Sequence, residues 1–294
     1  MDAAAGVVTP AAGVVTGPTA ADPPPELHAA RIPAAPPDAN SASADRRSIS
    51  VPIRPTLATS GGAREVERPV CLAGGMQIGI LGGTGPAGTA LAARLASVGY
   101  HVVLGSRSKY RAMEVRDSVM ERWGADHELN IEAGDNTAAA MAHVVIVATP
   151  WDSAAQTTTA VAEHLSGKVV VSMANALVRL GNEFHPLVPP RGSVAAHIQA
   201  AVPDSRVVAA MHHLPAKELG HLGAPIDSDV LICSDDPTAT KVVSEIVGRI
   251  PGCRPLDAGE LQNAMAIEAF TAVLLQLNIR YKTRVAPKLT GIKL

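Results

Sequence analysis

The sequence predicts an α/β fold, a Rossmann-type doubly wound parallel sheet followed by a smaller α+β C-terminal domain, and three observations carry that prediction. Residues 77–88 read Gln-Ile-Gly-Ile-Leu-Gly-Gly-Thr-Gly-Pro-Ala-Gly: an apolar run, then Gly83-x-Gly85-x-x-Gly88, then the helical spacing Leu91, Leu95, Val98. Apolar runs of strand type recur at 101–105, 143–149, 168–173 and 206–210, with helical patterns between them, which is the alternation of a parallel sheet. Beyond residue 210 the pattern changes to one further strand, a capped helix and a long apolar helix over 261–280.

The glycine segment is the strongest single signal. Strand, glycine turn and helix come in the order a dinucleotide pyrophosphate requires: a tight turn, close backbone approach, and a helix N-terminus to receive the charge. Residues 1–75 behave differently. They hold eleven of the 23 prolines and no Phe, Trp or Tyr, and they show neither sheet nor helix period. Such a stretch is expected to be a disordered tail or a start-site extension ahead of Met76, leaving 76–210 as the nucleotide-binding domain and 211–294 as the small second domain. The N-terminus has Asp2 and prolines where a secretory signal needs a basic start and an apolar core, and no run reaches membrane-spanning length. A formal charge of −2 without lysine-rich stretches excludes an electrostatic case for nucleic acid, and a cytoplasmic protein is expected. Cys71, Cys233 and Cys253 lack C-x-x-C spacing, so reduced thiols without zinc or disulfides are expected.

In chain order, 101–105 is the second strand and Ser106-Arg107-Ser108-Lys109-Tyr110-Arg111 opens the next helix. An NAD-selecting chain places Asp or Glu here for the ribose hydroxyls. Ser106, Arg107 and, one turn on, Arg111 instead suit a 2′-phosphate, which predicts NADP. Val115, Val119 and Trp123 continue an apolar helix face, a weak strand lies near 129–133, a short helix spans 137–141, and the strand 143–149 ends at Pro150-Trp151. Trp151 either borders the cofactor or anchors the core. Asp152 is read as the cap of a helix to Leu165. Ser172, Met173 and Asn175 close the strand 168–173, residues 179–191 read as a loop, 193–201 as a helix, and 206–210 as the last strand of the sheet. Asp229–Cys233 is a strand, Asp236 caps a helix to about Arg249, and 253–256 leads into the turn residue Asp257. The helix over 261–280 has too many apolar faces for a surface helix, so it packs against the other domain or a second subunit.

No nucleophile with its base, paired carboxylates or metal-ligand cluster can be assembled from the spacings. His212-His213 is an adjacent pair whose side chains point to opposite sides of an extended chain, so they do not chelate one ion. Either histidine is a pocket residue or a structural one. A nicotinamide enzyme without an evident acid suits an acceptor whose ring delocalises the incoming charge, which points to hydride exchange between two cofactors.

Several motifs together resemble the F420:NADP oxidoreductases, NADPH-dependent reductases of coenzyme F420. They are the glycine turn, Gly105-Ser-Arg107, Pro150-Trp151, His212-x-x-Pro215-Ala216, Pro255-Leu-Asp-Ala-Gly259 and the ending Gly291-Ile-Lys-Leu294. The resemblance covers 76–294. It implies an oxidoreductase that moves hydride between NADPH and the 8-hydroxy-5-deazaflavin F420, with the nicotinamide in a cleft between the two domains; a homodimer is expected beside it. Carried over by position, Gly83, Thr84, Gly85, Pro86, Ala87, Gly88, Ser106, Arg107, Arg111, Trp151, Ala155, Ala216 and Gly291 contact NADP, and His212 with Leu214 contacts the deazaflavin. No catalytic acid or base and no metal is implied. Two departures stand out: Ser172-Met-Ala-Asn-Ala-Leu177 replaces Ser-Pro-Leu-Val-Pro, and His213 replaces a smaller polar residue. The alternatives are an NADPH-dependent reductase of a small carbonyl or imine with His212 as proton donor, and a non-enzymatic NADPH-binding sensor.

Overall fold

The apolar pentapeptide Gln77–Leu81 forms β1, with Ile78, Ile80 and Leu81 fully buried because helices cover both faces of the strand. The computed structural model describes residues 75–293, so the expectation for the tail falls, but for Gly75, outside the described residues, as does Cys71. After β1 come α1 (Pro86–Ser97), β2 (His101–Ser106), α2 (Lys109–Trp123), β3 (Ile131–Asp135), α3 (Asn136–Ala140), β4 (Val144–Val147), α4 (Trp151–Thr159) and β5 (Val169–Ser172). Then follow β6 (Leu177–Leu180), β7 (Glu183–Pro186), α5 (Val194–Ala201), β8 (Arg206–Ala209), α6 (Ala216–Leu219), β9 (Ser228–Ser234), α7 (Pro237–Gly248), β10 (Cys253–Asp257) and α8 (Ala264–Tyr281).

Eight strands form one sheet in the order β10-β9-β8-β5-β4-β1-β2-β3. Chain direction from β1 goes outward on both sides, first through β2 and β3, then back to β4, so the topological switch point lies at the carboxyl ends of β1 and β4. Period-two alternation splits the core. Ile78, Ile80, Val102, Leu104 and Ile146 face α1, α2 and α7, while Leu81, Val103, Val145 and Val147 face α3, α4, α5 and the start of α8.

Four expectations need correction. The stretch 179–191 holds the hairpin β6–β7, whose two-residue turn is Gly181-Asn182 with Gly181 at φ +60°. Asp152 lies inside the first turn of α4, Pro150 is the N-cap, and the helix stops at Thr159 before a 3-10 turn at Ala162–His164. The strand 206–210 is not the last of its sheet: β9 adds to β8 antiparallel, Ala209 opposite Cys233, and β10 adds to β9 in parallel. The sheet is therefore mixed.

Candidate cofactor site

The turn after β1 is shaped by what its glycines lack. A Cβ on Gly88 would stand 2.8 Å from the Gly83 Cα, so the first turn of α1 can lie on the loop only without one. Gly82, at φ +65°, would drive a Cβ to 2.4 Å from the Thr149 methyl, and its N–H donates to Asn136 Oδ1. Gly85 is the N-cap of α1. No side chain accepts from that first turn, none of its residues is acidic, and the space around the missing Gly85 Cβ is open. Uncapped N–H groups and the positive end of the helix dipole thus face an open surface, the arrangement that receives a phosphate.

A groove of about 780 Å³ runs from this turn across the switch point, bordered by Thr84, Gly85, Ser106, Arg107, Arg111 and Thr149 among others. Ser106 is the last residue of β2 and is buried; its hydroxyl accepts from the Ser108 N–H. Ser108 in turn caps α2 by accepting from the Arg111 N–H. Arg107 sits exposed between them, and Arg111 pairs at 3.0 Å with Glu114, an exposed pair that solvent weakens. The nearest strand-end carboxylate, Asp135 opposite Ser106, is occupied as the cap of α3, its Oδ1 2.8 Å from the Ala138 nitrogen. The rim therefore presents cations and hydroxyls.

A second groove, about 580 Å³, is bordered by Asn175, His212, Leu214, Ala216, Thr271 and Arg284. It begins where β8 ends. Met211, fully buried, adopts φ +64°, a left-handed conformation unusual for its side chain, and reverses the chain so that Leu214 N–H reaches the Met211 carbonyl. Asn175 ties this turn to α8: its amide donates to the His212 carbonyl and its oxygen accepts from Thr271. The His213 Nε2–H donates to the Ile267 carbonyl at 2.8 Å, and the ring meets Phe270 edge-on. His212 is buried with neither ring nitrogen partnered, and burial, with His213 beside it, pushes its pKa down to about 3. Burial also lowers His213. Thr149 Oγ1 and Ser172 Oγ, at the carboxyl ends of β4 and β5, are likewise buried without a partner. Unpartnered polar atoms along one sheet edge fit a polar ligand there.

Of the sequence-derived residues, Thr84, Gly85, Ser106, Arg107 and Arg111 come together on the first groove, and His212, Leu214 and Ala216 on the second. Gly83 and Gly88 lie buried beneath the turn, with Pro86 exposed and Ala87 packed on the core. Trp151 and Ala155 border neither groove; Trp151 is half-buried against the core on the α4 face. Gly291 also lies outside both linings, exposed near the C-terminus at φ +87°. Thr149 and Pro150, expected at the cofactor from their place at the carboxyl end of a strand, border the first groove, and Asn136 borders it without belonging to any motif. Asn136 could have been suspected only from its place just past β3, since its partner, the Gly82 N–H, is 54 residues away. Among the described residues no cluster of three or more His, Cys, Asp or Glu could hold a metal, and no helix is long and apolar enough to cross a membrane.

Sheet order, glycine turn and open switch point define a Rossmann-type dinucleotide-binding protein. Residues 77–176 match the family model described as NADP oxidoreductase, coenzyme F420-dependent. The F420-dependent NADP reductase of Methanocaldococcus jannaschii is 37% identical over 224 residues, covering 74% of this chain and 98% of that protein. The one from Methanothermobacter marburgensis is 34% identical over 214 residues, covering 71% and 95%. The crystal structure of an Arthrobacter sp. FB24 protein, assigned as an F420-dependent NADP reductase, matches with a TM-score of 0.60 and 26% identity over 72% of this chain and all of that one. The chain belongs to the F420-dependent NADP reductase family and is an oxidoreductase.

Proposed function

We propose that this protein transfers hydride between NADPH and coenzyme F420, chiefly by holding the two rings face to face. The observation that carries the reading is the geometry of His212: its imidazole is buried at the edge of the second groove and neither ring nitrogen has a partner, so no relay feeds it a proton, and burial lowers its pKa so that it is neutral at pH 7. Reduction of a small carbonyl or imine wants a proton donor, whereas a deazaflavin spreads the incoming charge over its ring. That contrast favours the two-cofactor reaction over the small-substrate reductase.

In this assignment the first-turn N–H groups of α1 and residues Gly83 to Gly88 hold the pyrophosphate. Ser106, Arg107 and Arg111 hold the 2′-phosphate, with Arg111 giving up its contact to Glu114. Trp151, Ala155, Ala216 and Gly291 complete the NADP contacts, and His212 with Leu214 contacts the deazaflavin. Residues 76–210 serve as the NADP-binding part, and residues 211–294 complete the deazaflavin cleft. The working form is a cytoplasmic homodimer.

The test is direct: purified protein is mixed with NADPH and oxidised F420, and the deazaflavin's visible absorbance band is followed. Catalytic loss of the band is the expected result. An unchanged band together with NADPH oxidation by small aldehydes or imines would establish the alternative reductase. NADPH binding without turnover of any acceptor would leave the sensor reading.

A further inference from the structure

Residues 282–293 form neither helix nor strand, yet the chain here runs in a defined course beside the second groove. Thr283, Arg284 and Val285 border that groove. Two contacts start the course: Asn278 Oδ1 accepts the Val285 N–H, and Arg284 pairs with Glu218 on α6. A single ion pair then organises the remainder of the segment. Asp229 and Arg254 are register partners on β9 and β10, so their side chains rise from the same sheet face. Arg254 meets the Asp229 carboxylate bidentately, Nε at 2.8 Å and Nη2 at 2.6 Å.

Both partners also bind the tail. The Asp229 N–H donates to the Pro287 carbonyl and its carboxylate accepts from the Leu289 N–H. Arg254 donates to the carbonyls of Leu289 and Ile292, on either side of Gly291. Lys288 adds a contact to Asp227. Asp229 is completely buried, and it lines the same small space as Met211, His212 and Leu214. Because β9 is antiparallel to β8, its first residues lie at the carboxyl edge of the parallel strands, where the cofactor grooves open.

We propose that Asp229 and Arg254 are positioning residues for the cofactor site, their ion pair fixing residues 287–292 so that the Gly291 backbone reaches the bound dinucleotide. The proposal rests on the NADP reading above. Gly291 suits the role: at φ +87° with open space where a Cβ would stand, its peptide can be approached closely from outside. The Arg254 fork holds Asp229 well below the usual carboxylate range, so the pair stays charged through neutral pH. Without the fork, the carbonyls of residues 289 and 292 lose their donors, and part of the order around Gly291 must be supplied by NADP itself. Affinity falls accordingly.

The test compares wild type, Arg254→Met, Arg254→Lys, a chain ended after Ala286, and that chain carrying Arg254→Met, in NADPH fluorescence titrations and steady-state kinetics. Arg254→Met is expected to weaken NADPH by about fivefold or more, the scale of a typical coupling between sites, with kcat at saturation nearly unchanged. Arg254→Lys, a point charge without a fork, should recover only part of the affinity. The shortened chain should match Arg254→Met, and adding Arg254→Met to it should change nothing further. A protein-only readout accompanies these: NADP should slow tryptic cleavage at Lys288 in wild type and not in Arg254→Met. Equal affinities in wild type and Arg254→Met, or additive losses in the doubly altered chain, would overturn the positioning role while leaving the NADP reading intact. A wild type that binds no NADPH would remove that reading and this proposal with it.

Discussion

At the scale of single residues, charge placement decides the cofactor and burial decides the chemistry. Arg107 is exposed on the rim of the first groove and has no hydrogen bond or ion pair among the described residues. Charge-assisted hydrogen bonds to a 2′-phosphate are each worth about 1.5–3 kcal/mol, so Arg107→Ala is expected to weaken NADPH roughly tenfold to a hundredfold. NADH lacks that phosphate and should change little. Parallel changes in the two Michaelis constants would refute the assignment. His212 sets a pH dependence of definite sign. Its folded pKa lies below the ordinary histidine value of 6.5, so the unfolded chain binds the extra proton and stability is lost as pH falls below about 6.5 toward 3. The loss approaches about 1.4 kcal/mol per pH unit inside that window. His212→Gln does not titrate and should flatten this slope, which urea unfolding at pH 7 and pH 5 measures as a difference between variant and wild type. Glu268, lifted by burial to about 7, contributes the opposite slope in both proteins and cancels from that difference.

At the scale of elements, the parts legible in the sequence were those whose cause is local. The turn after β1 is marked by its own glycines, and Asp236 caps the helix it precedes, whereas the capping residue type at Asp152 misled because Pro150 starts α4 two residues earlier. The hairpin β6–β7 also carried a local signal, since Gly181-Asn182 is a two-residue turn of the type hairpins favour, but its flanking runs are only four residues each. Joining β9 and β10 to the nucleotide-binding sheet was not legible, because the Ala209–Cys233 pairing is long-range and antiparallel where the local pattern is parallel. Two buried charges were equally hidden. Arg94 occupies a position inside the apolar pattern of α1, yet its guanidinium donates to the carbonyls of Glu218, Leu219, His221 and Leu222 and so braces the end of α6. Glu268, on α8, accepts from the Val194 and Ala195 N–H groups and thereby caps α5 from outside. Removing it leaves two buried donors, each costing about 1–3 kcal/mol, so Glu268→Ala should be clearly destabilised in urea unfolding while Glu268→Gln, which keeps one acceptor, loses less. Equal stability of wild type and Glu268→Ala would mean that water replaces the carboxylate at no cost.

At the scale of the whole molecule, α8 explains why its sequence is apolar on every side. One face, with Ile267, Thr271 and Leu274, is buried against the protein, and the helix also shapes the second groove through Thr271 and Leu275. The opposite face keeps Met265, Phe270 and Val273 exposed at 48%, 40% and 51%, with Ala266 and Ala269 between them, and Arg280 as the charge toward its end. A helix with apolar residues on a solvent face is unusual unless a partner covers it, and in the homodimer proposed above a second copy of the chain would meet it with the same stripe. Phe270 packs on His213, so covering this face would also steady the histidine turn. Val273, central on the stripe and itself in neither groove lining, is the place to test this. Val273→Glu puts an unpaired charge into the interface, and light scattering should then report one chain where wild type reports two. Most of the NADPH affinity should persist in the monomer, because the groove assigned to the pyrophosphate and the 2′-phosphate draws on no residue of α8. Turnover with F420 should fall as the His213 support loosens. A wild type that is monomeric at micromolar concentration, or a Val273→Glu chain that stays dimeric, would show that the stripe is not the interface.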